Sequence, residues 1–358
     1  MDAENDSLAK RRVHALDFLR GLYIILAMIQ HYTGVLNGSL GLRPDGFIQW
    51  LFYNLTPSGD HLFLALAAFN IGKRTPTDYR PVYWSKMGIY ASLFVFFFFE
   101  SFFRTFDLGQ ALTWGPLLTW MLVLMLLASI HRCFGCLGVL ILFFAQTFFW
   151  ALPMDSLAAA INESVRSGLQ LPTFQYESRL EYFIGSGCVG YLLGYFHHHG
   201  KSFGRLPKHL LSFSAGLLLT VPFWLYGEYW VLNLDSVWDN EYLVASQFVG
   251  IMYIWGVQAA AIAFAILLEQ LGVPMKIPIF DWCGRFSFLV FAVHYAFFFN
   301  VMLPLRVLIA RLYDLPLQCT IEEMCIYMAG TILFSLFLQR SGLLLFMHYQ
   351  GASKPAPK

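Results

Sequence analysis

The chain has 358 residues, of which 58% are hydrophobic and 13% charged, with a formal net charge of +1 and a mean hydropathy of +0.58. Soluble domains carry about 25% charged residues, so the composition excludes an ordinary soluble protein, and the near-zero net charge gives no basis for a nucleic-acid partner. It describes an all-α, polytopic transmembrane bundle, expected as a single domain over residues 1–358.

The opening MDAENDSLAK is polar and acidic, so no secretion signal is expected before the first span. Residues 1–12 and 346–358 are expected as tails. Hydrophobic runs predict about ten helices, near 16–36, 58–72, 82–103, 112–130, 133–152, 179–197, 210–227, 245–268, 282–302 and 322–345. The second is short, with an expected break at Pro57–Gly59. No internal repeat is visible, which weighs against inverted-repeat transporters.

The loops set the orientation. Lys10, Arg11 and Arg12 precede the first span, Lys73, Arg74, Arg80 and Lys86 lie around the second connection, and Lys201, Arg205 and Lys208 follow the sixth span. Roughly fifteen basic residues fall on this side and about six on the other, which predicts cytoplasmic termini. The segment 228–241 on the other side holds Glu228, Asp235, Asp239 and Glu241 and no Lys or Arg.

The first span carries Asp17, Arg20 and His31. A charge at the centre of a membrane helix costs ~2.5 kcal/mol or more, so such residues face a cavity or a partner. At helical periodicity Arg20 and His31 lie about 20° apart around the axis and ~16 Å apart along it, and Asp17 shares their face. One polar stripe therefore crosses much of the membrane. A plain i,i+3 ion pair between Asp17 and Arg20 and a helix-tying His31 are the competing readings.

Other polar positions have similar alternatives. Asp60, His61 and Glu100 stand at expected outer helix ends, as binding contacts or as solvated termini. His294 is either a core histidine or a cavity residue. The run His197–His199 cannot share one helix face and reads as a helix end, not a metal site. Gly190 and Gly194 have the spacing of close helix packing. Cys133 and Cys136, a lone C-x-x-C in an apolar setting, read as small core residues.

The first span, with Leu16, Asp17, Arg20, Gly21 and His31 at their spacing, resembles the opening helix of the acyltransferase-3 superfamily of membrane acyltransferases. That group includes glucan-succinylating enzymes and, more distantly, heparan glucosaminide acetyltransferases. The stretch PSGDHLFLALAAFNIGKR, residues 57–74, is similar to the second helix of the family, with Ala67–Ala68 replacing a usual Ser-Gly. FDWCGRFSFLVFAVHY, residues 280–295, is similar to a late helix, through Gly284, Ser287, Phe288, Phe291 and His294. The middle of the chain matches only in hydropathy.

The resemblance implies transfer of an acyl group, expected as acetyl, from cytoplasmic acyl-CoA to a hydroxyl of a saccharide or glycolipid across the membrane. No tightly bound cofactor and no metal are implied. His31 is then the general base, Arg20 contacts CoA with Asp17 orienting it, and His294 lines the reacting centre. Lys73, Arg74 and Arg80 hold CoA phosphates, unless they are only inside-positive anchors. Asp60, His61 and Glu100 bind the acceptor. The expected location is the plasma (inner) membrane. A proton-coupled transporter or flippase using the same buried polar residues is the alternative.

Overall fold

The computed structural model describes residues 13–36, 59–105, 116–151, 180–199, 204–226, 248–297, 301–314 and 321–341. Among these residues the chain forms eleven helices and no strand. They are α1 His14–Leu36, α2 Gly59–Gly72, α3 Pro76–Thr105, α4 Pro116–Ala151, α5 Leu180–His199, α6 Arg205–Tyr226, α7 Phe248–Gln270, α8 Pro278–Arg285, α9 Ser287–Phe297, α10 Leu303–Tyr313 and α11 Ile321–Ser341. Four helical stretches are long and apolar enough to cross a membrane: Pro76–Phe99, Leu117–Thr147, Ile251–Gln270 and Met324–Ser341. The chain is thus a helical protein with membrane-spanning segments.

The helices group into two compact units, residues 60–271 and residues 13–59 with 272–358. In the first, α3 packs on α4, α4 on α5, α5 on α7, and α7 on α6. The start of α3 follows from local chemistry. Thr75 caps it by accepting from the Asp78 N–H at 3.1 Å and donating to Asp78 Oδ2 at 2.5 Å. Pro76 opens the helix, where its missing N–H costs nothing.

Helix α4 is a hairpin. Gly135 sits inside it at φ 62, ψ −147, a left-handed conformation open to glycine. A Cβ built on Gly138 would lie 2.7 Å from Ile130 Cγ2, a contact no straight helix allows eight residues apart. The first arm runs parallel to α5, with Val123 and Leu127 against Gly187 and His131 against Tyr191. The second arm runs back, bringing Gln146 to Gly185. The two runs expected at 112–130 and 133–152 correspond to these arms. Cys133 is exposed and Cys136 half-buried, correcting their reading as core residues. They flank the reversal at Gly135.

Helices α2 and α5 run parallel at backbone contact. Side chains at Gly72, Gly190 or Gly194 would collide with the carbonyls of Tyr191, Ala65 and Phe69 respectively. Glycine here lets carbonyls approach the facing backbone, the usual means of tight packing when lipid removes the hydrophobic drive.

In the second unit α1 packs on α8, α9 and α11, and α9 on α11. The span expected at 282–302 is interrupted. The chain leaves the helix at Phe286 (φ −106, ψ 30) after the eight residues of α8, and α9 begins at once. Helix α10, unforeseen in the sequence, begins with Pro in its first turn and ends at Asp314 in the left-handed region (φ 50).

Candidate functional site

Two motif-bearing stretches meet in the second unit. Gly284 lies against the carbonyl of Asp17, and Gly21 against the carbonyl of Phe280. The α1–α8 crossing therefore needs glycine on both helices. Around it Phe18 and Phe280 pack edge to face at 5.2 Å.

The crossing encloses charge. Asp17 and Asp281 are both buried. Arg20 Nη1 donates to Asp17 Oδ1 at 3.2 Å, and His14 Nδ1 donates to Asp281 Oδ1 at 3.2 Å. Arg285, largely exposed, stands 3.9 Å from Asp281 Oδ2. One ligand atom each from His14, Asp17 and Asp281 lies within 4.8 Å of the others. That geometry could take a cation, but Arg20 and Arg285 already supply positive charge to both carboxylates. His14 and Asp281 were not foreseen as site residues. The signal was available, since Asp281 is a carboxylate three residues before Gly284 in an apolar stretch.

His294, on α9, is fully buried with its ring edge-on to Phe291 at 4.7 Å. Its carbonyl accepts from the Tyr327 hydroxyl of α11 at 3.2 Å. His31 falls on α1, Asp60 on α2 and Glu100 on α3, but their side chains lie outside the described part of the structure.

The first unit has a basic end. Pro76 lies against Gly135, the Phe69 ring lies tilted against His197 at 5.6 Å, and His197 Nδ1 is 2.9 Å from His209 Nε2. These contacts gather the α2–α3 link, the α4 hairpin tip and the α5–α6 junction. Lys73, Arg74, Arg80, Arg132 and Lys208 thus share one end, with Asp78 and Glu269 the carboxylates described there. Arg74 and Arg80 are exposed and Lys73 is half-buried. Burial, then the Arg74 guanidinium, hold Lys73 below the usual lysine range. Lys208 donates to the His197 carbonyl. Burial, then the Lys208 ammonium, lower His209 to about 4. His197 thus ends a helix against another imidazole, with no third ligand described around the pair.

A second polar group lies deeper in this unit. His61 Nδ1 is 2.9 Å from Ser186 Oγ, and Gln258 Nε2 donates to the same oxygen at 3.1 Å. The His61 ring stacks on Phe183 at 4.2 Å, nearly parallel. Gln258 Oε1 and Trp255 Nε1 are enclosed without a hydrogen bond to any described residue. Gly185 makes room for the Trp255 indole, whose Cε2 would be 2.6 Å from a Cβ there. So His61, expected at a helix end facing the acceptor, is tied into three helices. Ser186 and Gln258 escaped the sequence reading because single polar residues in apolar helices carry no period.

No protein-family model, curated protein or solved structure matches the chain.

Proposed function

We propose that the chain is a membrane acyltransferase that moves an acyl group, acetyl by preference, from cytoplasmic acyl-CoA to a hydroxyl of a saccharide or glycolipid acceptor. It works as a bundle of about ten spans with both termini cytoplasmic, in the plasma membrane. The observation that carries the reading is the glycine-mediated crossing of α1 and α8. It joins the two stretches that resemble the family around a buried Asp17–Arg20 pair. Burying such charges is costly without a task or a partner.

In this reading Lys73, Arg74 and Arg80 hold the CoA phosphates, and Arg20, oriented by Asp17, contacts the donor. His31 takes the acceptor hydroxyl's proton as oxygen attacks the thioester carbonyl. The tetrahedral intermediate then expels the CoA thiolate, which the imidazolium protonates. His294 lines the reacting centre, and Asp60 and Glu100 orient the acceptor.

The test is transfer of label from acetyl-CoA, then succinyl-CoA, to envelope glycan and lipid fractions. Membranes would hold wild-type or His31→Ala protein at equal expression. Label with wild type and not with His31→Ala is expected. Full transfer by His31→Ala would remove the base assignment.

The buried carboxylates Asp17 and Asp281 also favour a second reading, a proton-coupled transporter. Substrate uptake into proteoliposomes without acyl-CoA would establish it instead.

A further inference from the structure

We propose that His61 is a fixed hydrogen-bond donor to the thioester carbonyl oxygen, its proton held on Nε2 by the chain Gln258–Ser186–His61. This rests on the acyl-transfer reading above and gives His61 a partner other than the acceptor.

The argument is an accounting of protons. The Gln258 amide nitrogen can only donate, and it donates to Ser186 Oγ at 3.1 Å. The Ser186 hydroxyl then has one hydrogen to place. Its one other hydrogen-bond neighbour among the described residues is His61 Nδ1, at 2.9 Å. Nδ1 therefore accepts, and the ring's own proton sits on Nε2. A protonated imidazolium would bring two donors to Ser186 Oγ and leave the serine hydrogen without an acceptor.

The remaining nitrogen is available. His61 Nε2 makes no hydrogen bond to a described residue and is not among the enclosed polar atoms. The ring cannot swing away, because Phe183 stacks on one face and Ser186 is itself fully buried. The result is one N–H of fixed direction beside the stacked Phe183 ring. Preorganised donors of this kind stabilise charge that develops on a carbonyl oxygen, because they need no reorganisation when the charge appears. A neutral imidazole held in one tautomer can serve as such an electrophile.

The position suits a long thin donor. His61 and Lys73 stand at opposite ends of α2, about 18 Å apart along the axis. Phosphates held at the basic end would leave an extended arm running along α2 toward His61. In the transfer step the acceptor oxygen bonds to the carbonyl carbon and the base takes its proton. The carbonyl π electrons move to oxygen, where Nε2–H donates without releasing its proton. When the intermediate collapses, the carbon–sulfur bond breaks and the thiolate leaves.

Two measurements test this on the full chain in nanodiscs. The first is the 15N spectrum of the histidines, with His61→Gln assigning the His61 signals. An Nε2-protonated, Nδ1-accepting ring is expected. An Nδ1-protonated ring overturns the proposal, since Ser186 would then be donating to the Gln258 carbonyl and Nε2 would be a base. The second is transfer from acetyl-CoA to the acceptor fraction labelled by wild-type membranes. His61→Ala should lower kcat about 100-fold with acetyl-CoA KM changed less than about threefold. His61→Gln, which returns an N–H near Nε2, should recover about tenfold of the loss. Wild-type turnover by folded His61→Ala, or a Gln variant as slow as Ala, overturns the catalytic role. A wild type that transfers nothing overturns the acyl-transfer reading and the carbonyl partner with it. The tautomer, read without turnover, tells the two failures apart.

Discussion

Gly284 of α8 lies directly on the backbone carbonyl of Asp17 in α1, with no room for a Cβ between them. The contact is backbone against backbone, so neither side can relax by turning a side chain. Gly284→Ala must push the helices apart and loosen the enclosure of Asp17. We expect a loss of about 2–3 kcal/mol, the upper range for overpacking, seen as a lower Tm in detergent. Gly88→Ala is the control. Gly88 sits inside α3 with nothing within 4 Å of a Cβ, so alanine there should stabilise by about 0.5–1 kcal/mol. Equal effects at the two positions would mean that the α1–α8 contact is not tight.

The reversal at Gly135 makes a topological prediction. As one straight helix, α4 would be about 54 Å long, far beyond the ~30 Å hydrocarbon core. As a hairpin, its two ends lie on one side of the membrane and Cys133 on the other. In protein otherwise free of reactive cysteine, Pro116→Cys and Ala151→Cys should react with an impermeant thiol reagent from the same side. The natural Cys133 should react from the opposite side. Labelling of positions 116 and 151 from opposite sides would show a single span. Gly135→Ala should also cost about 1–2 kcal/mol, because an L side chain is strained at this positive φ.

The Asp17–Arg20 pair predicts a sign. Both side chains are well shielded, at 5% and 13% exposure. Arg20→Ala leaves a buried carboxylate without its guanidinium and should cost about 3 kcal/mol. Asp17→Ala combined with Arg20→Ala should cost less than Arg20→Ala alone, because the stranded charge is gone. A double-mutant cycle by chemical denaturation measures this. Additive losses would mean that the pair is not coupled in the folded state.

These elements divide by how far apart their parts lie in sequence. Most of the helices were legible because hydropathy is a local property, though α10 was not, and the shared face of Asp17 and Arg20, three residues apart, was legible too. The hairpin in α4 was legible as two apolar runs meeting near 131–133, although the residue that turns the chain, Gly135, was not singled out. What could not be read is pairing across the chain. His14 meets Asp281 across 267 positions, and His61 meets Ser186 across 125. Periodicity says which face a residue occupies and nothing about which helix lies against it. The break at Phe286 was hidden for a related reason. Gly284, Arg285 and Ser287 do interrupt the apolar run around it, but single polar residues and glycines also occur inside continuous spans, so nothing local says that the helix stops and restarts there.

The junction of α5 and α6 should respond to pH. His209 is 3% exposed and donates to or accepts from His197 at 2.9 Å, which two neutral rings can do and two imidazolium ions cannot. Its folded pKa is about 4, below the ordinary value of 6.5, through burial first and the Lys208 ammonium second. The sign follows from proton uptake. The unfolded chain protonates this histidine as pH falls through 6.5, while the folded chain resists until about 4. The stabilisation is therefore whole above pH 6.5 and lost as pH falls toward 4. By about pH 5 the loss should be about 2 kcal/mol. Hydrogen exchange of the amides 205–212 should quicken over this window in wild type and much less in His209→Gln, which keeps a hydrogen-bonding side chain without the titration. The same acceleration in His209→Gln would assign the pH response to another group.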